Sequence, residues 1–308
     1  MNQWPAFYTP NKVGTLYVPD TVAAVTLGRE ANLPPAEQDR PRVILLLVDP
    51  QVDFIHTDGS LSVPGAIADT QRTIEWLLRN ASQVSAVAAS LDSHIPTQIF
   101  YPTWWINAQG EHPAPFTAIT GEDVDQKRWR PVFERSWSQR YVHQLEQSAK
   151  KALMIWPYHT MIGAPGYNIT PALYETIVYH SAARQSHPTF LHKGSIAKTE
   201  HYSLLEPEVK VRGEAQGGLN KPFLHMLASY DLIYVAGQAK SHCVLETINS
   251  VMRYFKDQPD QIARWRVLVD CMSSVAHPVI DFETMAHQAL AVHAGQGLRL
   301  VRSTDPIG

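Results

Sequence analysis

Residues Val235 to Phe255, VAGQAKSHCVLETINSVMRYF, read as strand, tight turn and helix, with a cysteine where the helix starts. Leu232, Ile233, Tyr234 and Val235 form a β-prone run that closes at Gly237. From Val244 the apolar residues Ile248, Val251, Met252 and Phe255 recur at the period of a buried helix face. Cys243 therefore falls in the first helical turn, where unpaired backbone N–H groups and the positive end of the helix dipole favour the nucleophilic thiolate. A small buried cysteine without chemistry is the competing reading of this stretch alone.

Polar groups follow other strands in the same way. Val43 to Val48 is a continuous apolar run, as expected of a central parallel strand covered on both faces, and it stops at Asp49. Open α/β sheets place their sites outside the carboxyl ends of their strands, although an Asp-Pro pair is also a common turn. Ile67 to Leu78 predicts a helix and Val84 to Leu91 a second strand, which runs into Asp92-Ser93-His94. Carboxylate and imidazole so close together can face one cation. Thr170-Pro171 opens a helix through Ala183, and Thr189 to His192 is a short strand ending at Lys193-Gly194. A helix within Gly217 to Ser229 precedes the cysteine strand. Arg266 to Asp270, Val279 to Ala291 and Leu298 to Val301 then read as strand, helix and strand.

This alternation predicts an α/β fold, a three-layer doubly wound and mostly parallel sheet. Residues 1–40 form an N-terminal extension, suited to an arm on a neighbouring subunit, and 41–308 form the domain. The stretch 96–150, with Trp104, Trp105, Trp129 and Trp137 among charged residues and a helix at Ser138 to Ala149, reads as a long insertion. Such an insertion serves as a lid or a subunit contact.

With 308 residues the chain can bury a large core, and its net charge of −3 argues against nucleic acid or an anionic membrane as partner. Two cysteines, Cys243 and Cys271, make no disulfide scaffold, so a reducing, cytoplasmic setting is expected. The N-terminus lacks the pattern of a signal peptide, and Val43 to Val48 is too short to span a bilayer. The turn after the first strand has no G-x-G-x-x-G and carries two aspartates, which argues against a dinucleotide.

Asp49, Lys193 and Cys243 each follow a predicted strand, so a parallel sheet would gather them at one edge. Nucleophilic acyl transfer needs such a trio. The cysteine attacks a carbonyl, the aspartate moves the proton, and the lysine charge favours both anions, while backbone N–H groups of the turn face the oxyanion.

The motifs here resemble those of the isochorismatase superfamily of cysteine hydrolases, and within it the nicotinamidases. Asp49-Pro50-Gln51-Val52-Asp53-Phe54 is similar to their D-x-Q-x-D-F, and Gly59 to Ala66 to their G-S-L-x-V-x-G-A. Asp92-Ser93-His94 matches D-x-H, and Trp156-Pro157-Tyr158-His159 matches W-P-x-H with Gly163 and Gly166 downstream. His192-Lys193-Gly194 with Tyr202-Ser203 matches the lysine segment, and Gly237 to Val244 the nucleophile turn. The resemblance implies a catalytic triad of Asp49, Lys193 and Cys243, and an oxyanion hole from Ala239 and Cys243 behind a cis Gln238–Ala239 peptide. It implies a divalent metal (zinc, iron or manganese) held by Asp92, His94 and His159, with Phe54 and Trp156 flanking a pyridine ring. The activity implied is hydrolysis of nicotinamide to nicotinate and ammonia.

The sequence departs from the family pattern in three places. The insertion separates His94 from His159, so His112 competes as a ligand; Gln98 stands where many relatives have His or Ser; and Thr160 replaces a common cysteine. Asp53 either orients Lys193 or caps a turn. Another amide or carbamoyl hydrolase, and a catalytically silent binding or scaffold protein, are the alternative readings. The expected partners are a small-molecule amide and further copies of this chain.

Overall fold

Val43–Val48 forms strand β1 and lies fully buried. Its side chains alternate between two cores, as the pleat of a strand demands. Ile44, Leu46 and Val48 pack with Leu224, Ile248 and Val251 on one face of the sheet. Val43, Leu45 and Leu47 pack with Ile74, Leu77, Leu173 and Ile177 on the other. Burying each such aliphatic side chain contributes roughly 1.5–3 kcal/mol, so this one strand anchors both layers.

The structure, a computed structural model, describes residues 4–149 and 151–308. The first three residues of the extension and Lys150 at the end of the insertion lie outside the described residues. The remaining strands of the main sheet are β2 (Ala86–Asp92), β3 (Thr189–Lys193), β4 (Leu232–Gly237), β5 (Trp265–Leu268) and β6 (Arg299–Val301). They run in the order β3-β2-β1-β4-β5-β6, and every neighbouring pair is parallel. The order reverses between β1 and β4, the switch point at which doubly wound sheets open a crevice.

The main helices are α1 (Thr21–Glu30), α2 (Ala66–Arg79), α3 (Arg135–Ala149), α4 (Pro171–Arg184), α5 (Lys221–Ala228), α6 (Leu245–Tyr254) and α7 (Phe282–Gly295). α5, α6 and α7 cover one face of the sheet, and α2 and α4 the other. Two helix starts differ from expectation for local reasons. α7 begins at Phe282 because the Asp281 carboxylate accepts a hydrogen bond from Thr284 N. α6 begins at Leu245 because Lys240–Val244, including Cys243, forms a π-helical turn ahead of it.

The extension packs on its own domain. Phe7, Tyr8 and Val13 enter the core on the α2 and α4 face, α1 lies along α4, and Tyr17 Oη donates to Glu175 Oε2 at 2.6 Å. The insertion builds a third core from Ile99, Phe100, Tyr101, Trp104, Trp105 and Tyr141, which it shares with Phe54 and Trp156. It is therefore a wall built onto the domain. Among the described residues no helix is long and apolar enough to cross a membrane.

Candidate active site

Asp49 ends β1, Asp92 ends β2, Lys193 ends β3, and Cys243 follows β4, so the four converge where the strands end. The close approach of β1 and β4 depends on Gly237. At φ 122°, a side chain there would run into the Val48 backbone. Beyond it the Gln238–Ala239 peptide is cis, Gln238 N donates to Val48 O at 2.8 Å, and Lys240 N donates to Ser273 O at 2.8 Å. These bonds fix the nucleophile turn. The Ala239 N–H makes no hydrogen bond among the described residues.

Lys193 Nζ sits 3.0 Å from Asp49 Oδ2 and 2.9 Å from Asp92 Oδ1. It also donates to His201 O at 3.0 Å and lies 3.7 Å from Cys243 Sγ. Asp49 and Lys193 are buried, and Cys243 is 6% exposed. Ser90 Oγ donates to Asp49 Oδ1 at 2.6 Å, Oδ2 faces the Lys193 ammonium at 3.0 Å, and a carboxylate oxygen of Asp49 lies within 4.8 Å of the sulfur.

Burial raises Asp49 above the ordinary carboxylate value, although Lys193 pulls the other way. Burial likewise pushes the Cys243 thiol well up, and Lys193 offsets only part of this. Lys193 is held well above its ordinary value, because Asp49 and Asp92 overcome its own desolvation. Desolvation thus opposes the thiolate expected at a helix start, while an Asp49 carboxylate oxygen stands close to the sulfur.

The ligand atoms of Asp92, His94 and His159 also lie within 4.8 Å of one another. His94 Nε2 is 2.9 Å and His159 Nε2 3.9 Å from Asp92 Oδ2. Each imidazole gives its Nδ1 to a backbone carbonyl, His94 to Gly194 O at 3.2 Å and His159 to Pro157 O at 2.7 Å. This leaves both Nε2 atoms facing inward, the usual orientation of metal-ligating histidines. Burial and His94 lower His159 to about 4, so its lone pair is available. Burial would raise Asp92, but the charges of His94 and Lys193 hold it below the usual carboxylate range. Both Nε2 atoms converge on Asp92 Oδ2, and one carboxylate with two imidazoles is a donor set that fits a divalent cation. Gly194, at φ 86°, permits the packing, since a Cβ there would stand 2.5 Å from Asp92 Oδ1.

His112 stands apart from this cluster, exposed and bonded through Nδ1 to Trp105 O at 2.7 Å. Gln98 donates to Gly194 O at 2.6 Å and accepts from Ile95 N at 3.1 Å, so its amide braces backbone. Asp53 caps turns, accepting from Ser60 N at 3.0 Å and Thr160 N at 2.7 Å, and thereby holds the His159 loop. The ring of Phe54 lies 5.6 Å from that of His159, and Trp156 Nε1 donates to Tyr202 Oη at 3.0 Å. The insertion sets this wall, with Trp156 N donating to Phe100 O at 2.8 Å and Tyr101 Oη to His159 O at 3.1 Å. Cys271 is buried in the core on the α2 and α4 face, away from this site.

Three site residues escaped the sequence reading. Ser90 was visible only as a polar residue inside an apolar strand, and Gln51, which clamps Asp92 N and O through its amide, only as part of a motif. Glu200, buried with Oε2 unpartnered, carried no sequence signal.

A buried thiol, lysine and carboxylate thus lie beside a carboxylate–imidazole cluster at the switch point of a six-stranded parallel sheet. Solved structures share the fold. A nicotinamidase pyrazinamidase of Acinetobacter baumanii is 19% identical, with 87% of this chain and 99% of that chain covered and a TM-score of 0.55. The yeast nicotinamidase Pnc1p is 16% identical, with 84% and 99% covered and a TM-score of 0.57. PnC1 from L. infantum, in complex with nicotinate, is 17% identical, with 86% and 95% covered and a TM-score of 0.51. No protein-family model and no curated protein matches the chain. The chain has the nicotinamidase fold.

Proposed function

We propose that this chain is a cysteine amidohydrolase that converts nicotinamide and water to nicotinate and ammonia. The observation that supports this most is the single buried cluster in which Lys193 touches Asp49, Asp92 and Cys243 at once. Cys243 Sγ attacks the amide carbonyl carbon as its proton passes to Asp49 Oδ2. The N–H groups of Ala239 and Cys243 face the oxyanion, and Asp49 hands the proton to the departing nitrogen, which leaves as ammonia. Water then adds to the thioester, giving a proton to Asp49, which returns it to sulfur as the acid is freed. Lys193 stays charged and offsets the negative charge of Asp49 and Asp92 between proton transfers. Phe54 and Trp156 flank the ring, and a divalent ion on Asp92, His94 and His159 supplies a Lewis-acidic anchor for the ring nitrogen when bound. Two unpaired cysteines suit a cytoplasmic setting.

Ammonia release from nicotinamide by the metal-loaded protein, beside Cys243→Ala, tests the reading. Turnover by the wild type and none by the variant is expected, and full activity in Cys243→Ala would contradict it. Turnover of other amides but not nicotinamide would keep the cysteine chemistry and overturn the pyridine reading.

A further inference from the structure

A second feature touches Lys193. A cavity of about 260 Å³ is lined there by Lys193, His201, Leu204, Gln216, Gly218 and Asn220, among others. Ala215, also on its lining, is exposed, and Gly218 is half-buried, so the cavity reaches solvent. Three polar atoms of its lining residues lack partners. His201 is 3% exposed, yet neither ring nitrogen has a hydrogen-bond partner, and Gln216 Oε1 has none either. The other end of the Gln216 amide is occupied, donating to His192 O at 2.7 Å.

Leaving such groups dry costs about 1–3 kcal/mol each. The space greatly exceeds the roughly 30 Å³ that a water occupies in the liquid, and it offers several polar partners. A dry packing defect would be apolar; this cavity is not. It also adjoins the cluster, because His201 O accepts from the same Lys193 Nζ that stands 3.7 Å from Cys243 Sγ.

On the aromatic wall Phe54 is 4% and Trp156 3% exposed. A ring held between them while its acyl group sits on Cys243 would block that approach to water. Resting on the amidase reading, we propose that the cavity behind Lys193 is a water-holding conduit, which delivers the water that hydrolyses the thioester by a route separate from the amide's.

Plugging variants test this. A side chain at Gly218 meets nothing within 4 Å at its Cβ, so Gly218→Phe can fill the cavity without a backbone clash, and Ala215→Trp does so from the mouth. With folding checked by thermal melting, kcat should fall about tenfold and kcat/KM should hold, because the amide is cleaved before water is needed. The acyl-enzyme should accumulate in quenched samples. Unchanged kcat in folded variants, or equal falls in kcat and kcat/KM, would overturn the conduit. A high-resolution crystal structure of the wild type gives a readout independent of activity: ordered water on His201 and Gln216 is expected, and a dry cavity would overturn the proposal. Wild-type protein that releases ammonia from no amide would instead defeat the amidase reading itself.

Discussion

Lys193 is a buried cation held between two carboxylates that would otherwise repel each other. Removing one partner of such a buried group leaves uncompensated charge and costs about 3–5 kcal/mol. Lys193→Ala should therefore lower the unfolding free energy measured by urea denaturation by that much, as well as abolish turnover. A variant as stable as the wild type would mean that Asp49 and Asp92 are not both ionised. The strand-end positions of Asp49, Lys193 and Cys243 were legible in the sequence, because a continuous apolar run that stops at a polar residue marks a buried parallel strand and its edge. The protonation state of Cys243 was not, since it depends on desolvation by residues far away in the chain. Glu200 was illegible for the same reason.

At the scale of elements, β1 shows how a six-residue run sets two helix layers, and its bounds were read directly from the sequence. The helix starts were less legible. The period of α6 gave its face, but the π-helical turn around Cys243 is set by Gln238 and Lys240 bonding to Val48 and Ser273, which periodicity does not record. α4 carries a further device in His180, buried, with Nε2 donating to Val84 O at 2.8 Å. Burial lowers it from the ordinary 6.5 to about 4. Its folded pKa is depressed, so the neutral ring's contribution is present above about pH 6.5 and is lost as pH falls toward 4. Wild-type stability relative to His180→Gln should fall across that window in chemical denaturation; a pH-independent difference would contradict the assignment.

At the scale of the whole molecule, the insertion joins the sheet through the site itself. Asp92 and His94 belong to the end of β2, while His159 lies on the loop braced by Tyr101 and Asp53. A cation on all three ties these parts together, and a ligand at a hundred times its dissociation constant stabilises the folded state by about 2.7 kcal/mol. Added zinc or manganese should raise the melting temperature of the wild type and not of His159→Ala. Equal shifts in both would place the ion elsewhere. The irregular, tryptophan-rich composition of residues 96–150 set this stretch apart in the sequence. That it walls the site was not legible, because its core is completed by Phe54 and Trp156 from outside its own stretch.

The central claim is that Cys243 carries the acyl group of the amide. Intact-protein mass spectrometry of enzyme quenched during turnover of nicotinamide tests it most directly. One nicotinoyl adduct on Cys243, absent from Cys243→Ala, is expected; ammonia release at full rate with no adduct in any quench would contradict it.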